Sequence, residues 1–118
     1  MVIPGGHSEP KDIIDSENDE DAKRIQEKVL TMKSQAEAML GRQQQQVENL
    51  SFERFDAVQY RRQIVAGTIY HVKVLVSNNN DEDAVHIKLF EPLPYENKPM
   101  ELQMIQRANR HDDLAIMN

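Results

Sequence analysis

The second half of the chain alternates apolar and polar residues, and this pattern restricts the fold more than any other feature. Apolar side chains take every second position in three segments: Tyr70, Val72, Val74 and Val76; Val85, Ile87 and Leu89; and Met100, Leu102 and Met104. Such alternation is typical of β-strands that bury one face. A polar stretch, Asn78-Asn79-Asn80-Asp81, predicts a turn between the first two segments. We therefore expect an antiparallel meander.

Strand register follows from the requirement that the apolar residues share one face of the sheet. A first turn centred on Val65 sets Tyr60 opposite Tyr70 and Val58 opposite Val72. Across the Asn-rich turn, we expect Val76 opposite Val85. A third turn centred near Tyr95 sets Leu89 opposite Leu102 and Ile87 opposite Met104. One buried face then runs across four strands.

An amphipathic helix is predicted before the strands, from about residue 19 to about residue 40. Its apolar positions recur every three or four residues on one helical face: Ala22, Ile25, Val29, Met32, Ala36 and Met39. Acidic residues at its start suit the positive end of the helix dipole, and Gly41 is a natural stop. The predicted fold class is α+β: one α-helix packed on a four- to five-stranded antiparallel sheet, with Ile13-Ile14 as an extra edge piece.

Pro and Gly residues near the N-terminus divide the chain into two parts. Residues 1–10 contain Pro4, Gly5, Gly6 and Pro10, which block regular structure, so we expect a flexible trunk there. Residues 11–118 are long enough for one modest core, so we expect a single domain. Within it, an extended helix and connection cover about residues 15–51, and the meander covers about residues 52–107.

Composition excludes several classes of function. The chain has no Cys, which removes disulfides, thiolate metal sites and a cysteine nucleophile. A net charge of −6 argues against nucleic acid as a partner, because phosphate neutralisation needs a basic surface. The N-terminus lacks the pattern of a secretory signal, and no run of about 18 apolar residues could span a membrane. We expect a cytoplasmic protein without a cofactor, and secretion without a signal peptide stays open.

The four histidines do not have the spacing of metal ligands: His7, His71, His86 and His111. The predicted register sets His86 opposite Leu75, about 13 Å from His71 on the outer face of the sheet. That separation is too large for a shared metal ion. We therefore expect ordinary solvated histidines, no metal site and no enzyme activity.

The first predicted hairpin has an apolar tip: Gln63, Ile64, Val65, Ala66 and Gly67. Hairpin tips face water and are usually polar, so a small exposed apolar surface of this kind favours a docking role. In a meander, alternate turns lie at the same end of the sheet. Residues 63–67 and 93–98 should therefore meet, with the Asn-rich turn at the far end. If the helix runs back along the sheet, its start and the tail before it also reach that end.

Several segments of the chain resemble the stefins, which are type 1 cystatins. The matching segments are Gln63-Ile64-Val65-Ala66-Gly67-Thr68 (the first inhibitory loop, with Ile64 where Val is usual), Leu93-Pro94-Tyr95-Glu96-Asn97-Lys98-Pro99 (the second loop), Ile3-Pro4-Gly5-Gly6 (the start) and His111-Asp112-Asp113-Leu114 (the closing segment). Three features differ from the stefins. The region between the start and the first strand is longer, the chain end lacks the aromatic residues common there, and an acidic stretch follows Gly6.

The resemblance implies a reversible, tight-binding competitive inhibitor of papain-like cysteine proteases of the cathepsin type. It also implies that three segments enter the active-site cleft of the protease. They are an N-terminal trunk of Ile3, Pro4, Gly5 and Gly6, a first loop of Gln63, Ile64, Val65, Ala66 and Gly67, and a second loop that contributes Leu93 and Pro94. Below, residues 63–67 are the first loop and residues 93–98 the second loop.

A second interpretation keeps the fold and changes the activity. The acidic, Gln-containing region 9–51 could adapt a cystatin scaffold to self-association or to a non-protease partner, with weak or no protease inhibition. We expect a monomer, and a domain-swapped dimer opened at residues 63–67 is the alternative. Such a dimer would straighten the first loop.

Overall fold

The computed structural model describes residues 10–13, 20–43, 52–78 and 81–114. Two helices pack on one antiparallel sheet whose strands follow chain order, β1-β2-β3-β4-β5. The elements are β1 (Lys11–Asp12), α1 (Glu20–Thr31), α2 (Lys33–Gln43), β2 (Arg54–Val65), β3 (Gly67–Asn78), β4 (Asp81–Glu91) and β5 (Glu101–Ala108). This arrangement confirms the predicted α+β fold. No helix within the described ranges is long and apolar enough to cross a membrane.

The predicted edge piece is present, one or two residues earlier than expected. β1 pairs with the middle of β2, with Lys11 opposite Tyr60. The pairing continues at Ile13, which is buried and whose N–H donates to the carbonyl of Val58 at 2.8 Å. Ile14, the other residue of the predicted edge piece, lies outside the described residues.

The predicted single helix is divided at Met32 into α1 and α2. The hydroxyl of Thr31 donates to the carbonyl of Lys28 at 2.6 Å, and the N–H of Met32 bonds to the carbonyl of Val29 at 3.0 Å. A side chain that bonds to the preceding turn in this way competes with the helical backbone bonds and favours an interruption of the helix. The prediction of one unbroken helix was therefore wrong at this point, although both segments lie against the sheet.

The end of the helix also differs from the prediction. After this interruption the buried positions are Met32, Ala36 and Leu40, while Met39, the predicted position, is partly buried and packs against the core. Gly41 does not stop the helix, which continues to Gln43. A helical glycine costs only about 1 kcal/mol relative to alanine, so a helix anchored by buried Ala36 and Leu40 can continue past it.

The core lies between the inner face of the sheet and the two helices. From the helices it takes Ala22, Ile25, Val29, Met32, Ala36 and Leu40, and from the strands Phe55, Ala57, Tyr60, Tyr70, Val72, Val74, Val76, Val85, Ile87, Leu89, Leu102 and Ile105. Each fully buried aliphatic side chain of this kind stabilises the fold by about 1.5–3 kcal/mol. The alternation therefore identified the buried face of β3 and β4 correctly, but in β5 it failed after Leu102, where Ile105 and not Met104 is buried.

The register of two hairpins differs from the prediction by two positions. Val65 pairs with Gly67, so the first turn is centred on Ala66 and Tyr60 lies opposite Val72. In the next hairpin Val74, and not Val76, pairs with Val85, because β3 and β4 remain paired up to Asn78 and Asp81. A shift of two positions keeps every side chain on its predicted face.

Irregular pairing accounts for the remaining register errors. The ladder between β2 and β3 shifts between Ala57 and Gln59, and the ladder between β4 and β5 shifts between Lys88 and Leu89. Leu89 therefore lies opposite Leu102 as predicted, whereas Ile87 lies opposite Ile105 and not Met104. A bulge inserts one residue and moves the positions beyond it to the other face, so Ala57 and Ile105 are buried where Val58 and Met104 were predicted.

The outer face of the sheet is covered by the segment that follows β5. Lys73 donates through Nζ to the carbonyl oxygens of Arg110, at 3.2 Å, and Asp112. Arg61 donates to the carbonyl of Leu114 at 3.0 Å, and the side chain of Leu114 is buried. Residues 109–114 form a C-terminal segment that crosses the outer face from β5 to β2.

The prediction of solvated histidines was wrong for His71 and His86, which lie on the covered outer face. His71 and His86 are 1% and 5% exposed, so they are buried and not solvated. His86 also lies opposite Lys73 and not Leu75. The polar sequence of residues 109–113 gave no sign that they would cover the sheet. Within the part of the chain that the structure describes, no group of three or more His, Asp or Glu residues could hold a metal ion.

Candidate functional site

One end of the sheet carries both predicted loops. β2 and β3 meet at Ala66, while β4 ends at Glu91 and leads into the second loop. The register places Thr68, directly after the first loop, opposite Glu91. The Asn-rich turn follows Asn78 at the opposite end of β3. The first and second loops therefore leave the sheet side by side, and we call this end of the molecule the loop edge.

The first loop is a closed hairpin tip with exposed apolar side chains. Ile64 is 48% exposed and Val65 is 39% exposed, although both lie in a paired strand. Ala66 is the single residue between the paired positions Val65 and Gly67. Successive strand residues point to opposite faces, so Ile64 and Val65 present apolar surface on both sides of the tip.

Gly67 joins the first loop to β4 by a close approach of two backbones. Its φ is +121°, a conformation that side-chain-bearing residues rarely adopt. A β-carbon at this position would lie 2.5 Å from the carbonyl oxygen of Glu91 and 3.0 Å from the ring of Phe90. The glycine therefore permits both the turn itself and the close approach of the first loop to the end of β4, which leads into the second loop.

The second loop is held in a short 3₁₀ turn at Pro94–Glu96. The N–H of Leu93 donates to the Glu96 carboxylate at 3.0 Å, and the N–H of Glu96 donates to the carbonyl of Leu93 at 3.0 Å. Asn97 closes the turn with a left-handed backbone, φ 53°. These bonds and the fixed φ of Pro94 stiffen the loop before any partner is bound.

Tyr95 belongs to the second loop but was not among the residues predicted to contact a protease. Its side chain is 79% exposed, beside exposed Pro94 and half-buried Leu93. The available signal was an aromatic residue in a segment that contains two prolines. Proline interrupts strand pairing, so the ring is placed in a surface loop and not on the buried face of a strand. Tyrosine supplies a large contact area at low entropy cost.

A charged cluster lies directly behind the loops, on the inner face. Arg24 of α1 donates through Nη2 to Asp21 at 2.9 Å and to the Tyr70 hydroxyl at 2.8 Å, and it lies 3.1 Å from Glu91. Arg62 reaches the other oxygen of Asp21 at 2.6 Å. The start of α1 is therefore located at the loop edge, as predicted for a helix that runs back along the sheet.

The charges of this cluster determine the protonation of its members. Burial lowers the pKa of Arg24. The neighbouring Tyr70, Glu91 and Asp21 together raise this pKa by more than burial lowers it, so the net shift is upward. Burial, followed by the carboxylates of Asp21 and Glu91, raises the pKa of Tyr70 against the opposing effect of Arg24. At neutral pH Arg24 is therefore charged, and the Tyr70 hydroxyl is neutral.

The predicted trunk residues lie outside the described residues: Ile3, Pro4, Gly5 and Gly6. The described chain nearest to them is β1, which runs antiparallel to β2 with Lys11 opposite Tyr60 and Asp12 opposite Gln59. Since β2 runs towards the first loop, β1 begins on the side of the loop edge.

Comparison with known proteins identifies the family. A family model for the cystatin domain matches residues 42–111, a stretch that contains both loops. Cystatin-A1 of Sus scrofa is 38% identical over 112 residues, which cover 95% of this chain and 90% of that protein. The chain belongs to the cystatin family. Cystatin-B of Homo sapiens and of Gorilla gorilla gorilla are each 45% identical to this cystatin over 74 residues, which cover 62% of the chain and 72% of each relative.

Membership confirms the resemblance to the stefins that was drawn from the loop sequences. Cystatins are inhibitors of cysteine proteases and not enzymes. This agrees with the prediction that the present cystatin has no enzyme activity. It also directs attention to the loop edge, where the described residues offer exposed apolar side chains on rigid turns.

Proposed function

We propose that this cystatin is a reversible, tight-binding competitive inhibitor of papain-like cysteine proteases of the cathepsin type. The first loop, the second loop and the N-terminal trunk enter the active-site cleft together. One observation supports the proposal above all others: the two loops leave the same end of the sheet, and each presents exposed apolar side chains.

Rigidity of the loops explains how a small surface could bind tightly. The first loop is paired up to Val65 and Gly67, and the second loop is closed by the bonds between Leu93 and Glu96. Little conformational entropy is then lost on binding. A protease–inhibitor interface of standard size buries about 800 Å² on each partner, enough for nanomolar or tighter binding.

The closed first loop also explains why an inhibitor of this kind resists cleavage. Hydrolysis requires a substrate peptide bond in attack geometry at the protease nucleophile. The residues around Ala66 are held in a one-residue turn between paired strands and cannot lie extended along a cleft. The resemblance to stefins adds that the trunk turns away near Gly5, so no bond of the trunk is presented for attack.

The trunk residues have side chains suited to an extended contact with the cleft. Ile3 would place an aliphatic side chain in a substrate pocket, and Pro4 limits the freedom lost on docking. Gly5 and Gly6 allow the backbone to approach the cleft wall where a β-carbon would clash. The start of β1 on the side of the loop edge supports an approach from that direction.

The experiment that tests this proposal is titration of papain and several cathepsins with monomer isolated by size exclusion. We expect competitive inhibition by the wild-type protein and at least about tenfold weaker inhibition by Val65→Glu, because a charge would be buried in the cleft. Leu30→Glu is the matched control. Leu30 is also an exposed apolar residue, at 55%, but it lies on α1 away from the loops.

Equal inhibition constants for Val65→Glu and wild type would show that the first loop does not contact the protease. No inhibition of any of these proteases at micromolar wild-type protein would contradict the proposal itself. That second result would favour the other interpretation, in which the cystatin scaffold serves self-association or a non-protease partner.

A further inference from the structure

The charged cluster behind the loops connects one helix to three of the four strands that carry the loops. We define it as Asp21, Arg24, Arg62, Tyr70 and Glu91. Asp21 and Arg24 belong to α1, Arg62 to β2, Tyr70 to β3 and Glu91 to β4. The central group is the guanidinium of Arg24, whose Nη2 lies within 3.1 Å of an oxygen of Asp21, Tyr70 and Glu91.

The strand members of the cluster lie next to the loops. Arg62 lies on the inner face of β2, two positions before Ile64 of the first loop, which is on the same face. Glu91 is the last residue of β4, two positions before Leu93 in the second loop, and it pairs with Thr68. A shift of α1 relative to these strands would therefore change the position of both loops.

The side chains of the cluster are only partly open to water. The exposed fraction of the side chain is 27% for Glu91 and 29% for Asp21, and it is larger for the arginines, 39% for Arg62 and 42% for Arg24. The two arginines balance the two carboxylates, and the Tyr70 hydroxyl accepts a further bond from Arg24. Since bonds from an ionised donor are short and directional, such a set holds one geometry better than apolar contacts do.

The cluster lies at the edge of the apolar core, which includes the Tyr70 ring, and it is not the main source of helix docking. Ile25, next to Arg24, and Val29, about one turn further along α1, are fully buried in the core. Loss of the Arg24 guanidinium leaves this packing intact. The change should therefore affect the geometry at the loop edge more than the folding of the domain.

We propose that Arg24 is a positioning residue for protease inhibition, which holds the start of α1 and the ends of β2, β3 and β4 in the one arrangement that presents both loops to a cleft. This inference rests on the proposed function and assigns a role to a residue outside the three binding segments. Arg24 acts through Asp21, Tyr70 and Glu91 and does not itself contact the protease.

The test measures association and dissociation rates with papain for wild type, Arg24→Met and Arg24→Lys. Methionine keeps the unbranched stem and removes the charge. We expect the dissociation rate of Arg24→Met to rise about tenfold with little change in association, because altered complementarity acts mainly on dissociation. Arg24→Lys should recover part of the loss, since it restores the charge without the planar fork.

Arg54→Met is the matched control. Arg54 forms an ion pair with Asp56 at 2.7 Å, at the end of β2 remote from the loops. Hydrogen exchange at the amides of residues 64, 68 and 93 is the second readout. We expect faster exchange at both loops in Arg24→Met and unchanged exchange there in Arg54→Met. Should Arg24→Met fail to fold, Glu91→Gln removes one charge of the cluster at nearly constant shape.

The outcomes separate the inference from the proposed function. Unchanged dissociation and loop exchange in Arg24→Met, with normal inhibition by wild type, would overturn the role of Arg24 and leave the proposed function standing. A lower unfolding midpoint with unchanged dissociation would give Arg24 a purely structural role, which also overturns the inference. A wild-type protein that does not inhibit would overturn the proposed function, and the inference would fall with it.

Discussion

Gly67 is the residue whose identity most directly determines the shape of the loop edge. It combines a φ of +121° with a backbone that approaches the carbonyl of Glu91. The sequence predicted the first property, because glycine at a hairpin tip commonly supplies a positive φ. It could not predict the second, because the contact depends on where β4 ends and on its register with β3.

Replacement of this glycine should destabilise the fold. We expect Gly67→Ala to lower the free energy of unfolding by about 2–3 kcal/mol, because the backbone strain is joined by a steric clash. Gly41→Ala is the control, since a β-carbon there meets nothing within 4 Å. Gly41 lies in α2, where alanine is favoured over glycine by about 0.5–1 kcal/mol. Urea unfolding curves measure both, and equal effects would contradict the tight approach at Gly67.

This result also decides which substitution tests the first loop cleanly. A large side chain at Gly67 would disturb folding through Glu91 and Phe90, so a loss of inhibition there would have two causes. Val65 and Ile64 are exposed and make no such demand on the backbone. The binding role of the loop is therefore better tested at Val65.

At the scale of elements, the C-terminal segment determines the chemistry of the outer face. It covers His86, which lies opposite Lys73 on β3 and Gln106 on β5 and near Asp112 of the segment itself. Burial and the charge of Lys73 lower the pKa of His86, and Asp112 raises it by a smaller amount. Among the described residues, Nε2 of His86 has no hydrogen-bond partner.

The lowered pKa of His86 predicts that the protein loses stability in weak acid. The unfolded chain takes up this proton near pH 6.5 and the folded protein only at lower pH. Stability is therefore full above that value and falls as the pH drops towards the folded-state pKa. We expect His86→Gln to show a shallower decline, by at most about 1.4 kcal/mol per pH unit, the limit for one proton.

Denaturant unfolding between about pH 7 and pH 5 measures this difference, with the exposed histidine variant His111→Gln as the matched control. Identical pH dependence in His86→Gln and wild type would show that His86 is not protonated preferentially in the unfolded chain.

The elements show where sequence patterns were sufficient and where they failed. Alternation in β3 and β4 identified the buried face, and a register error of two positions left that face unchanged. The interruption at Met32 lies beside the hydrogen bond from the Thr31 hydroxyl to the Lys28 carbonyl, which the helical periodicity does not reveal. The C-terminal segment has almost no apolar residues besides Leu114, so no pattern predicted that it would cover two histidines.

At the scale of the whole molecule, the meander explains why a binding surface could be predicted without coordinates. Alternate turns of a meander share one end of the sheet, so the first and second loops had to meet once the strand order was correct. The charged cluster could not be predicted from the sequence. Its five members come from four elements, and only the packing of α1 brings Arg24 to Tyr70 and Glu91.

The oligomeric state stays a prediction, with a monomer expected and a swapped dimer as the alternative. Opening at Ala66 would convert the paired β2 and β3 into one continuous strand and remove the first loop. The loop edge exists as described only in the closed chain, so binding measurements belong to the monomer.

Hydrogen exchange of the monomer, free and bound to papain, decides whether the two loops form one binding surface. We expect slower exchange on binding at residues 64–68 and 93–97, and no change at Asn78 and Asp81 at the opposite end of the sheet. Slower exchange at that opposite end, or at only one of the two loops, would contradict a single binding surface formed by the loop edge.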